Sequence, residues 1–164
     1  MTAAASTPPP FPTCAFWNMH FLSINKSETW EAKVNNIQQL VRRNKIVAVT
    51  ESHVDGFKAE ALFFHRITGV VKCLATDMLI LIDAAWAAER GITEASAEVI
   101  LPGVAQVLQW TEGNTPFAFL HFHLDSANEV LRRTQLATLS TWAREHLPRG
   151  AKVILGGGPQ FRVQ

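Results

Sequence analysis

Trp30, Val34, Ile37 and Val41 recur at i, i+4, i+7 and i+11. That is one stripe of an amphipathic helix, predicted at about 27–43. Asn25 and Glu28 are spaced as a capping box, with Ser27 a competing N-cap. Arg42 and Arg43 suit the negative end of the helix. A second stripe, Leu136, Leu139, Ala143 and Leu147, predicts a helix at about 127–147 with Ser126 or Asn128 as its cap.

Between and around these stripes the period changes. "CAFWNMHFL" is rich in aromatic and β-favouring residues and reads as a first strand. "KIVAVTES" and "MLILID" are short unbroken apolar runs, which suits strands covered on both faces. "AEVILPGVAQVLQW" is two strand-like runs about a Pro-Gly turn, hence a hairpin. "FAFLHFHL" and "AKVILGGG" complete the set. Two helices separated by consecutive strands fit a layered α/β sandwich, packed mixed β-sheets flanked by helices, better than a doubly wound sheet. A fold class carries no function by itself.

Composition narrows the picture only a little. The 164 residues have room for one domain: residues 1–13, "MTAAASTPPPFPT", read as a disordered, proline-stiffened tail, and 14–164 as the domain. With 48% hydrophobic and 18% charged residues the chain is globular in type. A net charge of +1 gives no electrostatic footprint for nucleic acid. Cys14 and Cys73 are too few for a disulfide framework, which favours an intracellular setting, cytoplasmic or nuclear. The longest greasy run, "MLILIDAAWAA", is broken by Asp83 and too short for a bilayer, so a soluble protein with no membrane partner is expected. Oligomeric state is not legible.

Polar residues at the ends of buried strands are the chemical candidates, because the strand fixes them while the loop exposes them. Three such positions are Asn18, Glu51 and His123. Glu51 is the sharpest: a carboxylate just past an apolar run is costly unless solvated, paired or metal-bound. An ordinary surface glutamate is its plain alternative. His121 and His123 alternate and so share a face, which makes a two-histidine metal hydrolase a distant alternative to a hydrogen-bonded strand pair. His146 falls late on a helix, as a capping or surface residue would. The glycines of "VILGGGPQF" are followed by neither lysine nor helix, so they are no phosphate cradle.

Taken together, "FWNMH", "IVAVTESH", "FHLDS" and "VILGGGPQF" resemble the strand-end motifs of the endonuclease/exonuclease/phosphatase superfamily, the DNase I-like fold. Its motifs are T/S-W-N, Q-E, a histidine-bearing segment and G-D-x-N, and the helix before the last often carries R-x-x-Q-L, as "RRTQLATLSTW" does here. The resemblance implies a Mg²⁺-dependent phosphodiesterase or endonuclease, with nucleic acid as the partner, of the type encoded with reverse transcriptases in mobile elements. It implies that Glu51 chiefly holds the metal, that Asn18 helps position metal and phosphate, and that His123 acts on the phosphate or water.

The departures are as informative. Gly158 stands where the family has the Asp of G-D-x-N, and Gln160 where it has the Asn. Phe16 and Thr50 replace the usual Thr/Ser and Gln of the first two motifs. The family's final S-D-H segment is not reached, so the fold is expected to be C-terminally incomplete. These losses predict weak Mg²⁺ binding and little or no hydrolysis, since one oriented acid–base group is worth roughly 10²–10⁴ in rate. A non-catalytic interaction module is the alternative function.

Overall fold

The structure is a computed structural model that describes residues 11–19, 27–52, 65–75 and 77–159. The element order is β1 (Cys14–Asn18), α1 (Ser27–Arg43), β2 (Ile46–Thr50), β3 (Val70–Ala75), β4 (Met78–Asp83), α2 (Ala84–Ala88), a 3₁₀ turn (Glu94–Ser96), β5 (Ala97–Leu101), β6 (Ala105–Glu112), β7 (Thr115–Leu124), α3 (Glu129–His146) and β8 (Lys152–Pro159). The strands form two four-stranded sheets, ordered β1-β2-β4-β3 and β5-β6-β7-β8. Each has one parallel pair, β1 with β2 and β7 with β8, and the rest antiparallel. Parallel neighbours need a crossover connection, and α1 and α3 supply the two.

Alternation along the strands builds four layers. In β2, Ile46 and Ala48 face the second sheet, where they join Leu108, Trp110, Phe117 and Phe119 in the inter-sheet core. Val47 and Val49 face the other way, onto Val34 and Ile37 of α1. All five residues of β2 are therefore buried, as its unbroken apolar run predicts. On the far side, Val107, Ala118 and Leu120 pack beneath Trp142 and Leu147, and Leu139 of α3 covers Ala105 and Leu124. The layers run helix, sheet, sheet, helix, the α/β sandwich expected from the sequence.

Both predicted helices are present. The capping residues considered for α1 lie among positions whose side chains are outside the described residues, whereas Asn128 caps α3 by accepting the Leu131 N–H at 3.0 Å. One predicted face needs correction. Leu136 is 46% exposed, while Gln135 and Leu139 are buried. The Gln135 Oε1 accepts the Asp125 N–H at 2.9 Å, which fixes the roll of the helix, and Leu136 lies about 100° further round.

β3 and α2 were not legible. Lys72 interrupts the apolar run of β3, an edge strand, and α2 follows directly on Asp83, which ends β4 and caps the helix by accepting the Trp86 N–H at 2.8 Å. Phe11 packs edge-on against Phe117 at 5.7 Å. Among the described residues no helix is long and apolar enough to cross a membrane.

Candidate active site

The two parallel pairs bring four strand ends to one edge of the sandwich. Asn18 pairs in register with Thr50 at the end of β1 and β2, and His123 pairs with Gly158 at the end of β7 and β8. A cleft of about 150 Å³ opens between them, lined among others by Asn18, Thr50, His121, His123 and Gly158. The sequence-predicted residues Asn18, Glu51, His123 and Gly158 thus converge, and Gln160 lies outside the described residues.

Glu51 is the centre of the arrangement. It is 6% exposed, and Asn18 Nδ2 donates to its Oε1 at 3.1 Å. The same oxygen stands 3.6 Å from His123 Nε2, a link from the first sheet to the second. Its backbone has φ +53°, among the described residues the sole non-glycine with positive φ. That left-handed conformation is rare for a residue with a side chain and costs about 1–3 kcal/mol. The flanking chain over-determines it: Met19 N–H donates to Thr50 O at 3.0 Å, and both the N–H and the hydroxyl of Ser52 donate to Asp77 O at 2.9 Å. A buried acid held in a strained backbone at a strand end is a built feature, not a stray surface glutamate.

His121 lies two residues before His123 on the same face, as alternation predicts, but in a different environment. It is 1% exposed, with Nδ1 3.2 Å from Gln106 Nε2, and its Nε2 has no partner among the described residues. Burial, with a smaller push from His123, lowers its pKa to about 3, so it stays neutral at any ordinary pH. Among the described residues no three His, Cys, Asp or Glu side chains cluster to hold a metal, so the histidine pair has no third ligand of these types. His146 is exposed, its ring stacked on Trp142 at 4.9 Å, and takes no part.

The three glycines serve three different ends. A Cβ on Gly156 would lie 1.2 Å from the ring of Phe16, so this residue is glycine because an aromatic ring covers it. Gly157 has φ +134°, and a Cβ there would stand 1.7 Å from the Phe122 carbonyl oxygen. Around Gly158 nothing lies within 4 Å of where a Cβ would be, and its backbone imposes no restriction. Gly158 itself offers the cleft neither an acid nor an amide. Sequence reasoning saw the missing carboxylate but not the reason for Gly156, because Phe16 and Gly156 are far apart in the chain.

The helix–sheet–sheet–helix sandwich is the layered α/β architecture that the strand-end motifs implied. Solved structures bear this out at the level of fold. The chain is similar to a humanized Danio rerio TDP2 carrying 14 mutations, with 14% identity over 87% of this chain and 59% of that one, TM-score 0.59. It is similar to a β-hairpin deletion mutant of Staphylococcus aureus beta toxin, with 10% identity over 90% and 66%, TM-score 0.62. It also resembles the endonuclease domain of TRAS1, a telomere-specific non-LTR retrotransposon, with 14% identity over 91% and 60%, TM-score 0.52. The chain spans about three fifths to two thirds of the length of these structures. No protein-family model and no curated protein matches the sequence.

Proposed function

We propose that the cleft binds a phosphodiester of nucleic acid together with a weakly held Mg²⁺, and turns it over slowly or not at all. The observation that carries this reading is the convergence of Asn18, the strained and buried Glu51, and His123 at one rim, opposite a bare Gly158. The likeness of fold to an endonuclease domain supports nucleic acid as the substrate class.

The donors present suit a hard cation. Glu51 offers a carboxylate and Asn18 an amide beside it, the oxygen-rich chemistry Mg²⁺ prefers. These two residues would hold the ion, which when bound neutralises charge on a phosphodiester. One carboxylate is a thin donor set for an ion that keeps most of its waters, so affinity is millimolar at best. His123 Nε2, facing the cleft from the second sheet, is placed to donate to a phosphate oxygen or hold a proton near it. At the fourth strand end Gly158 has no group to orient a water molecule, which accounts for binding without efficient hydrolysis.

Titration calorimetry with Mg²⁺ and a short oligonucleotide tests the binding half, and nicking of supercoiled plasmid tests the chemical half. Glu51→Gln removes metal-assisted binding, and the parent chain nicks poorly. Vigorous Glu51-dependent nicking would show the site to be intact, whereas binding indifferent to Glu51→Gln would put the ligand elsewhere.

A further inference from the structure

A second recess adjoins the cleft and shares two walls with it. Phe16 and Trp17 line both, and the recess of about 270 Å³ is completed by Asn36, Gln39, Leu40 and Arg43 of α1. It lies along the free edge of β1, which is the edge strand of its sheet among the described residues. Phe16 and Trp17 point to opposite faces of β1, one onto Phe119 and the other toward the α1 core, so aromatic surface from both faces reaches this edge. Phe16 is 40% exposed, much for a large apolar ring.

The helical wall is polar and unspent. Asn36, Gln39 and Arg43 follow one another at helical spacing over about 10 Å of α1, and all three are exposed. Among the described residues none of them makes a hydrogen bond or ion pair, and no acidic side chain lines the recess. The wall therefore presents amide donors and acceptors beside a guanidinium with no acidic partner among the described residues, facing aromatic rings. Aromatic surface to stack a base, amides to meet its edge and a cation to meet the backbone are the three elements of single-strand recognition. The volume lies just below the range of small-molecule pockets, which suits one nucleotide and not a duplex.

We infer that single-stranded nucleic acid runs from the cleft into the recess between β1 and α1, with a base against Phe16 and Trp17 and the adjoining phosphate on Arg43. This rests on the phosphodiester reading of the cleft and adds to it the strandedness and the path of the ligand.

Fluorescence anisotropy with three probes in Mg²⁺ tests it: a single-stranded dodecanucleotide, the same sequence as a duplex, and a dinucleotide that fills only the cleft. Arg43→Glu and Gln39→Glu are exposed helix positions outside the cleft, so the fold is not at stake. Arg43→Glu is expected to weaken the single strand about tenfold, to lower its salt slope by about 0.7, and to leave the dinucleotide unchanged. Gln39→Glu weakens the single strand in the same direction. A single strand bound equally well by both variants overturns the inference. So does a duplex that binds as tightly and with the same dependence on Arg43. Dinucleotide binding insensitive to Glu51→Gln would instead defeat the reading of the cleft, while the response of the single strand to Arg43→Glu would still judge the path.

Discussion

The ring of Phe16 lies directly on Gly156, with Cε1 1.2 Å from where a methyl on that glycine would be, and it stacks on Phe119 at 5.3 Å. This contact ties the edge strand of one sheet to the edge strand of the other beside the cleft. Gly156→Ala should therefore cost about 1–3 kcal/mol, because the ring has to be displaced. In a Phe16→Ser background, itself destabilised, the further cost of Gly156→Ala should nearly vanish. Urea denaturation of the four members of this cycle measures the coupling, and additive losses would mean the glycine is required for another reason.

Gly158 offers the opposite case. Gly158→Asp should fold as stably as the parent without metal, to within about 0.5 kcal/mol, since nothing obstructs a Cβ there. It adds a carboxylate to the cleft wall opposite Glu51, so Mg²⁺ should bind more tightly and raise the melting temperature of the variant more than that of the parent. Adding Glu51→Gln should cancel the gain. A thermal shift with Mg²⁺ that survives Glu51→Gln would place the ion away from this cleft.

The backbone of Glu51 stores strain. Glu51→Gly lets φ +53° be adopted without penalty and removes a buried acid, so stability should rise by about 1 kcal/mol even as Mg²⁺-dependent ligand binding disappears. Chemical denaturation and calorimetry on the same sample test both halves. A destabilised Glu51→Gly would show that the pairing with Asn18 and His123 outweighs the strain.

His121 predicts a pH dependence. Its pKa falls from 6.5 in the unfolded chain to about 3 in the fold, so only the unfolded state takes up the proton between these values. The stability due to its burial is fully present above pH 6.5 and is lost as pH falls toward 3, by up to about 1.4 kcal/mol per pH unit. His121→Asn should remove that share of the slope, read as the difference between the two stability curves from pH 7 to 5. Parallel curves would mean that His121 protonates in the folded state as readily as in the unfolded one.

What the sequence made legible follows from the range of its signals. Strand alternation and helical stripes are local, so β2, β7, α1 and α3 could be read directly, as could the placing of Asn18, Glu51 and His123 at strand ends. β3 escaped because Lys72 breaks its run, and α2 because Asp83 serves as strand end and helix cap at once. The left-handed Glu51 and the Phe16 ring on Gly156 depend on contacts between residues distant in the chain. The pattern reports which face a residue takes, not what it meets there. Leu136 shows the same limit, since one buried amide on Gln135 set the roll of a helix whose apolar stripe suggested another.

Each sheet is drawn from one unbroken stretch of chain, β1 to β4 and then β5 to β8, with α2 and a short turn between them. Asn18 and Glu51 belong wholly to the first stretch, and His123 and Gly158 wholly to the second. Neither half of the polypeptide holds a complete cleft. The 3.6 Å approach of His123 to Glu51 is consequently a gauge of alignment between the halves. Any slippage of one sheet across the other breaks this approach before it unfolds either sheet, so if the cleft binds as proposed, loss of ligand binding should be the earliest symptom of a loosened seam.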